Sequence, residues 1–396
     1  MPHQTRPVVL QILPRLVTGG VERGTIDIAL ALQAAGGVPL VVSRGGPMVH
    51  ELEQAGIEHL AMPVHSKNPL LMRANIDRLV HLMKERRVNI IHARSRAPAW
   101  SAWIAAHRTG ASFLTTFHGT YTLGPLAMKK PYNAVMACGD LVIAISHFIA
   151  AHVQAVYGSA PERIRVVPRG VDCCQFDPIS VHPSRLIALA KAWRLPENRP
   201  LIMLPGRLTR WKGHEILLEA LAKLKRRDLC CLLVGFDQGR VHYRTQLETM
   251  IRHKGLDSMV RLVGDCADMP AAYMLADVVV SASTEPEAFG RVVVEAQAMG
   301  RPVVATDHGG SRETVVHGQT GWLIPPRNPD ALAQALSALL ALAPVERQAL
   351  AVRQVAHTHA HFSKAIMCAS TLSIYEDLLT GTTSSPESAL VTREKV

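Results

Sequence analysis

Short apolar runs rich in valine, isoleucine and leucine alternate with longer stretches of helical periodicity from one end of the chain to the other. This alternation is typical of parallel β-sheets whose two faces are covered by helices. The apolar runs predict strands at 8–13, 38–42, 88–92, 112–116, 141–145 and 164–167, and again at 201–205, 229–234, 260–263, 278–281 and 303–305. The chain is therefore predicted to form two doubly wound α/β units in tandem.

A segment rich in proline, glycine and aspartate, residues 168–183, interrupts both periodicities and indicates a connection between domains. We predict a Rossmann-like N-terminal domain over 1–168, completed by a helix over 363–380, and a Rossmann-like C-terminal domain over 169–362. The polar residues 381–396 predict a disordered tail. Ligands of open parallel sheets bind beyond the carboxyl ends of the strands, so a ligand is expected between the two domains.

Composition narrows the class of protein. The chain has 396 residues, of which 48% are hydrophobic, enough for two cores. Uninterrupted apolar runs stay below the roughly 18 to 20 residues of a membrane helix, and the N-terminus does not read as a signal peptide. A cytoplasmic protein is expected. The seven cysteines are scattered or adjacent, without zinc-type spacing, so no metal site is predicted.

The net charge of +11 is concentrated in the N-terminal half, where residues 1–168 carry 17 lysines and arginines against 9 aspartates and glutamates. Nucleic acid is not the expected partner, because aromatic residues are few and do not interleave with the basic clusters. Contact with an anionic membrane or an acidic acceptor fits better, with Arg94, Lys129 and Lys130 as candidate acceptor-side residues. An ordinary solvated helix face explains the same charges.

Glycines follow the first predicted strand. Gly19, Gly20 and Gly24 precede an apolar helix pattern, and such glycines let a backbone approach a ligand and point N–H groups at an anion. The spacing is not the GxGxxG of a dinucleotide-binding fold. A tight turn alone also explains it.

Two motifs of the second half carry charged groups. Arg207 and Lys212 flank a strand-to-helix turn that starts at Gly206. The planar guanidinium of an arginine together with the mobile ammonium of a lysine suits a diphosphate. Glu287 and Glu295 stand eight residues apart, which in a continuous helix spans about 12 Å. That is the length of a nucleotide sugar from hexose to ribose. Each motif alone also fits a salt-bridged helix start.

In combination these residues resemble the retaining glycosyltransferases of family 4, which have the GT-B fold. The elements follow the family's order along nearly the whole chain: Gly19-Gly20 with Glu22, residues 117–119, 145–146 and 167–172, Gly206-Arg207 with Lys212-Gly213, Glu287 with Glu295, and residues 309–313. Two positions depart from the commonest form. Arg169 replaces the usual asparagine, and Ala288 stands where serine is frequent.

The resemblance implies that the N-terminal domain binds the acceptor and the C-terminal domain a nucleotide-sugar donor. Arg207 and Lys212 would clamp the diphosphate, Glu295 would hold the ribose and Glu287 the donor sugar. His118 would lie near the reacting carbon. The implied catalytic residues are His118, Arg207, Lys212 and Glu287. The implied donor-binding residues are Gly19, Gly20, Gly206, Arg207, Lys212, Gly264, Asp268, Met269, Glu287, Ala288, Phe289, Gly290 and Glu295.

The predicted activity is retaining transfer of a hexosyl unit from a UDP-sugar or GDP-mannose to a glycan or lipid-linked acceptor, as in cell-envelope polysaccharide or lipopolysaccharide synthesis. No cofactor is expected beyond the donor, because the sequence has no DxD motif to hold a divalent ion. A peripheral position on the inner face of the cytoplasmic membrane is the expected location. Two alternatives stay open: a sugar-nucleotide epimerase of the same fold, and a catalytically silent subunit.

Overall fold

The chain folds into two compact α/β units. The computed structural model describes residues 6–224, 226–237, 239 and 241–381, and the predicted disordered tail from residue 382 onward lies outside them. One unit comprises the chain up to Gly170 together with the part that resumes at Ala365. The other comprises Val171–Lys364.

The first unit has a seven-stranded parallel sheet in the order β3-β2-β1-β4-β5-β6-β7. Its strands are β1 Val8–Ile12, β2 Val38–Ser43, β3 Glu58–Ala61, β4 Ile90–Ala93, β5 Ser112–Phe117, β6 Leu141–Ala144 and β7 Ile164–Val166. Its α-helices are α1 Gly20–Ala34, α2 Val49–Gln54, α3 Pro69–Glu85, α4 Arg96–Thr109, α5 Lys130–Ala134 and α6 His147–Tyr157. A helix from the end of the chain, Lys364–Thr380, packs Met367, Ile374 and Tyr375 into this unit's core.

The second unit has a six-stranded parallel sheet in the order β10-β9-β8-β11-β12-β13. Its strands are β8 Leu201–Pro205, β9 Cys230–Val234, β10 Val260–Gly264, β11 Val278–Ser281, β12 Val303–Thr306 and β13 Trp322–Ile324. Its helices are α7 Pro183–Ala192, α8 His214–Lys223, α9 Val241–His253, α10 Met269–Leu275, α11 Arg291–Ala298, α12 Ser311–Thr314, α13 Pro329–Leu340 and α14 Pro344–His361. The helix Lys364–Thr380 is then α15.

All eleven predicted strands are present, and two further strands, β3 and β13, lie at sheet edges. Strand β3 has the sequence Glu-His-Leu-Ala and no fully buried residue, so it lacks the apolar run that marks the central strands. Strand β13 has only three residues. Edge position alone does not explain the omission, because the edge strands β7 and β10 were predicted from their β-branched residues.

In each sheet the strand order reverses next to its first strand, between β1 and β4 and between β8 and β11. Loops that follow the two strands at such a switch point diverge and leave a crevice at the carboxyl edge of the sheet. The Gly19-Gly20 loop and Arg94 follow β1 and β4, whereas the Lys212 and Glu287 loops follow β8 and β11. Within each unit, the strand order thus brings together two loops that are far apart in the sequence.

Within the described residues, no single helix is long and apolar enough to cross a membrane. One bent pair of helices, α13 with α14 at an angle of 109°, passes a test of length and composition taken together.

Candidate functional site

The loop after β8 begins with Gly206 and ends in a short 3₁₀ turn at Arg210–Lys212. Gly213, the N-cap of α8, has a φ of 74°. A Cβ atom there would overlap the carbonyl oxygen of Ala282, in the loop after β11, so only glycine allows these two loops to touch. Arg207 is exposed to solvent, whereas Lys212 is partly buried.

Lys212 and Glu287 form a buried ion pair between the loops after β8 and β11. The Lys212 ammonium lies 2.5 Å from Oε1 of Glu287, and the two side chains are only 15% and 11% exposed. The hydroxyl of Ser283 donates to the same carboxylate oxygen at 2.6 Å. An ammonium has three donors, so pairing with one oxygen leaves donors for a further anion. The site can therefore hold a positive charge in a fixed place with little water around it.

The segment between the two predicted carboxylates is not a continuous helix, contrary to the assumption behind the 12 Å estimate. Helix α11 begins only at Arg291, and Glu287 lies in the preceding loop. Gly290, its N-cap, has a φ of 91°. The loop is held by Gly310, whose N–H donates to the Glu287 carbonyl at 2.8 Å. A side chain on Gly310 would collide with the backbone of Phe289, so the two loops need a glycine at this contact.

Glu295 is buried on α11 and is held by two donors. The hydroxyl of Tyr273 on α10 donates to its Oε2 at 2.9 Å, and Arg291 binds its Oε1 at 2.8 Å. A carboxylate has about four lone-pair positions, so both oxygens still have room to accept hydroxyl groups. The carboxylate is thus fixed in orientation, as a group that reads a pair of neighbouring hydroxyls must be.

The loop after β10 contains the predicted nucleobase contacts Gly264, Asp268 and Met269. Asp268 is already engaged: Arg185 on α7 binds its two oxygens at 2.8 and 2.6 Å, and the backbone N–H of Ala271 donates to it at 3.1 Å. The hydrogen bond from Arg185 lowers the pKa of Asp268 below its ordinary value. Asp268 therefore caps α10 and ties it to α7, and its contact with a nucleobase stays a prediction.

His214 begins α8 directly after Lys212 and Gly213, and its ring is fully buried. Burial, together with the positive charge of the neighbouring Lys212, lowers the pKa of His214 to about 4. The imidazole is therefore neutral at physiological pH. Sequence reasoning gave no role to His214, Ser283 or Tyr273, because none of them belongs to a charged motif and their proximity to Lys212, Glu287 and Glu295 is seen only in the structure.

In the first unit, the predicted Gly19-Gly20 loop forms the N-terminus of the 15-residue helix α1. Gly19 is the N-cap, and its extended backbone carries no side chain that would cover the first turn. The carbonyl of Gly20 accepts a hydrogen bond from the guanidinium of Arg169, which follows β7. This contact joins the segment after β7 to the Gly19-Gly20 loop.

Arg169 also reaches the predicted catalytic histidine, which follows β5. Its Nη2 lies 2.8 Å from Nδ1 of His118, while Nε2 of His118 is buried without a hydrogen-bond partner among the described residues. Burial lowers the pKa of His118 well below its ordinary value, and the positive charges of Arg169 and Arg94 add to this shift. Both effects favour the neutral form of the His118 imidazole.

Arg94, predicted on the acceptor side, is almost completely buried at the end of β4. Its Nη1 donates to the side-chain oxygen of Gln11 at 3.0 Å. A Cβ atom at Gly24 of α1 would lie 2.9 Å from Nη1 of Arg169 and 3.1 Å from Nη2 of Arg94, so both guanidinium groups pack closely against this glycine. Arg94 and Arg169 thus form a basic floor under the first turns of α1.

Lys129 and Lys130, the other predicted acceptor-side residues, lie on an exposed segment at the start of α5. Leu126 and Met128 beside them are 97% and 74% exposed. The segment is anchored by Trp100, whose indole N–H donates to the carbonyl of Tyr132 at 3.1 Å. Lys129 and Lys130 therefore lie on the surface of the first unit, whereas Arg94, predicted on the same side, is buried inside it.

In the part of the chain that the structure describes, no group of three or more His, Cys, Asp or Glu side chains could hold a metal ion. The charged side chains of the loop after β8 are cationic, namely Arg207, Arg210 and Lys212.

Two protein families match this chain. Residues 18–175 match the family described as Glycosyltransferase Family 4, and residues 188–352 match the family described as Glycosyl transferases group 1. The two matches fall on the two structural units in turn.

Individual proteins show the same relationship. The crystal structure of a glycosyltransferase from Rickettsia africae has 38% identity and a TM-score of 0.88, with 95% of this chain and all of that chain covered. The Anabaena protein Alr3699/HepE in complex with UDP and glucose has 25% identity and a TM-score of 0.78, covering 93% and 99%. A D-inositol 3-phosphate glycosyltransferase from Xylanimonas cellulosilytica is 31% identical over 267 residues, 64% of each chain. The match thus spans slightly less than two thirds of that relative.

Proposed function

Because this chain belongs to the family 4 glycosyltransferases of the GT-B fold, we propose that it transfers a hexosyl unit from a nucleoside-diphosphate sugar to a glycan or lipid-linked acceptor. The observation that carries the proposal is the buried Lys212–Glu287 pair at the switch point of the second sheet. The structural neighbour that binds UDP and glucose supports a donor of this class. We further propose retention of the anomeric configuration and no need for a metal.

The hard step of this reaction is departure of the nucleoside diphosphate from an oxocarbenium-like sugar. Negative charge grows on the diphosphate as the bond breaks, and fixed cations at that place stabilise the transition state more than the ground state. Lys212 supplies a charge held by Glu287 and by the nearby Trp211 ring, whose centroid lies 4.3 Å from its ammonium. Arg207 supplies an exposed guanidinium at the start of the same loop. Glu287, once a donor draws Lys212 away, is free to accept hydroxyls of the sugar.

Retention and metal independence can be tested together with water as the acceptor. We expect slow hydrolysis of an α-linked donor to release the α-anomer first, seen by proton NMR before mutarotation. The rate should be unchanged in excess EDTA, since lysine and arginine do the work of a metal. Initial release of the β-anomer would rule out retention. Loss of the rate in EDTA, restored by Mg²⁺ or Mn²⁺, would rule out metal independence.

We also propose that the acceptor lies at an anionic membrane surface, as in cell-envelope polysaccharide or lipopolysaccharide synthesis. The support is a basic apolar patch on the first unit, defined by exposed residues around the start of α3 and around the start of α5: Lys67, Leu70, Leu71, Leu126, Met128, Lys129 and Lys130. Lys67 lies 5.9 Å from the Tyr132 ring centroid, which joins the two parts. The sequence has no acidic residue between Glu85 and Asp140. Exposed apolar side chains ringed by lysine suit an anionic bilayer.

The patch predicts sedimentation of the protein with phosphatidylglycerol-containing vesicles at low salt, but not with phosphatidylcholine vesicles. Replacing Lys129 and Lys130 by alanine should weaken the partition about fivefold per lysine, since each is worth about 1 kcal/mol near such a surface. Leu126→Ser should weaken it further by removing buried apolar area. The matched controls are Lys191→Ala with Arg353→Ala, and Ile179→Ser, all exposed in the second unit. Equal losses in controls and patch variants would contradict the proposal.

A further inference from the structure

The contact between Arg169 and His118 fixes a chemical property of the imidazole. A guanidinium has five N–H donors and no acceptor, so the ring nitrogen 2.8 Å from Nη2 of Arg169 must accept. That nitrogen is Nδ1. An imidazole whose Nδ1 carries a lone pair is either neutral with its proton on Nε2 or fully deprotonated, and only the first exists near neutral pH.

The surroundings favour the same form of the ring. The charged and titratable groups that face His118 are Arg169, Arg94 and His92, none of which accepts a proton from it as a carboxylate would. His92 is occupied elsewhere, with Tyr375 of α15 at its Nδ1 and Thr116 at its Nε2. A proton added to His118 would therefore meet two guanidinium groups in a poorly hydrated place.

The second terminal nitrogen of the Arg169 guanidinium is also held in place. Its Nη1 donates to the carbonyl of Gly20, while Nη2 faces His118, so one side chain spans from the glycine loop to the imidazole. Asparagine, the residue usual at this position in the family, is too short to make the same bridge. The bridge is therefore a feature of this chain and does not follow from the family resemblance.

We propose that Arg169 is a positioning residue that locks His118 as a neutral imidazole with its proton on Nε2, so that His118 acts as a hydrogen-bond donor and not as a base. The inference rests on the proposed function in assigning His118 to the reaction, but the protonation state itself can be measured without substrate. Nε2 of His118 is buried without a partner among the described residues, which leaves its proton available to an acceptor oxygen.

The direct test is nitrogen-15 NMR of histidine-labelled protein, with His118 assigned by the signal that His118→Gln removes. We expect a protonated Nε2 and a pyridine-type Nδ1 from pH 6 to pH 8. Arg169→Lys keeps a donor and should keep this pattern. Arg169→Glu offers an acceptor in its place and should move the proton to Nδ1 or charge the ring. An imidazolium or a protonated Nδ1 in the wild-type protein at pH 7 would overturn the proposal.

A pH profile supplies the functional readout. The folded pKa of His118 is lowered, so the wild-type hydrolysis rate should not fall through loss of neutral imidazole between pH 8 and pH 6. In Arg169→Glu the pKa rises, and the ratio of kcat/KM at pH 6 to that at pH 8 should drop to about a quarter or less, the neutral fraction of an ordinary imidazole at pH 6. Arg108→Glu, an exposed site of the same unit, is the charge-matched control and should leave the ratio unchanged.

The outcomes distinguish failure of the proposed function from failure of the role proposed for Arg169. A melting temperature of Arg169→Lys close to wild type excludes a folding defect as the cause of its behaviour. If the NMR pattern is as expected but no nucleotide sugar binds or turns over, the proposed function fails, and the proposal that Arg169 fixes the protonation state of His118 holds. If donor turnover is normal and Arg169→Glu shows the wild-type NMR pattern and the wild-type ratio of kcat/KM at pH 6 to that at pH 8, the proposal for Arg169 fails and the proposed function holds.

Discussion

Replacing Lys212 by alanine is expected to reduce the rate of sugar transfer by about 10²- to 10³-fold, the usual effect of losing one charge-assisted group that stabilises a leaving anion. The substitution removes the partly buried cation that pairs with Glu287, whose carboxylate also accepts a hydrogen bond from Ser283. The effect should appear in kcat as well as in kcat/KM, because the charge on the diphosphate grows in the transition state. Steady-state kinetics of donor hydrolysis measures both.

The same substitution leaves Glu287 without its cation, so a loss of stability must be separated from a loss of catalysis. Breaking a buried ion pair costs about 3–5 kcal/mol, which a thermal melt would detect. Lys212→Arg keeps the charge and should recover part of the rate. Arg210→Ala removes a neighbouring cation that is 63% exposed and serves as the matched control. A Lys212→Ala enzyme that melts normally and turns over donor within threefold of wild type would remove Lys212 from the mechanism.

Replacing Glu295 by alanine is expected to weaken binding of the nucleoside diphosphate by about 100-fold, the loss of two charge-assisted hydrogen bonds at roughly 1.5 kcal/mol each. Tyr273 and Arg291 hold the carboxylate in one orientation, so it can accept from two adjacent hydroxyls at once. Isothermal titration calorimetry of wild type and variant with the preferred diphosphate gives the ratio.

A ribose contact predicts more than a weaker affinity. The 2′,3′-dideoxy form of the same nucleotide lacks the hydroxyls, so wild type should bind it about as weakly as Glu295→Ala binds the normal form. The variant should not distinguish the two nucleotides. Glu313→Ala, on the short helix α12, tests whether removing any nearby acidic charge has the same result. Continued discrimination between the two nucleotides in Glu295→Ala would place the ribose elsewhere.

The fold was predictable because its information is local. Most residues of the central strands are buried, with valine, isoleucine and leucine prominent, and the runs 201–205 and 278–281 match β8 and β11 residue for residue. The edge strand β3 was missed because Glu58 and His59 give it no apolar pattern. Strand β13, Trp322–Ile324, was missed although it is apolar and no shorter than the predicted strand β7.

The sequence indicates which residue types the candidate site should contain, but not how their side chains contact one another. Lys212 and Glu287 are 75 residues apart, and only the reversal of strand order between β8 and β11 brings them together. The helical spacing from Glu287 to Glu295 was wrong because Gly290 ends a loop before the helix begins. The partners of a charged group, such as Ser283 for Glu287, leave no pattern of their own in one sequence.

The most direct test of the donor site is calorimetry of the purified protein with UDP, GDP, ADP, UDP-glucose, UDP-N-acetylglucosamine and GDP-mannose, each with and without EDTA. We expect one nucleoside diphosphate and its sugar to bind, to bind equally well in EDTA, and to lose most of their affinity in Lys212→Ala. Absence of binding by every nucleotide at millimolar concentration would contradict the assignment of this chain as a nucleotide-sugar transferase.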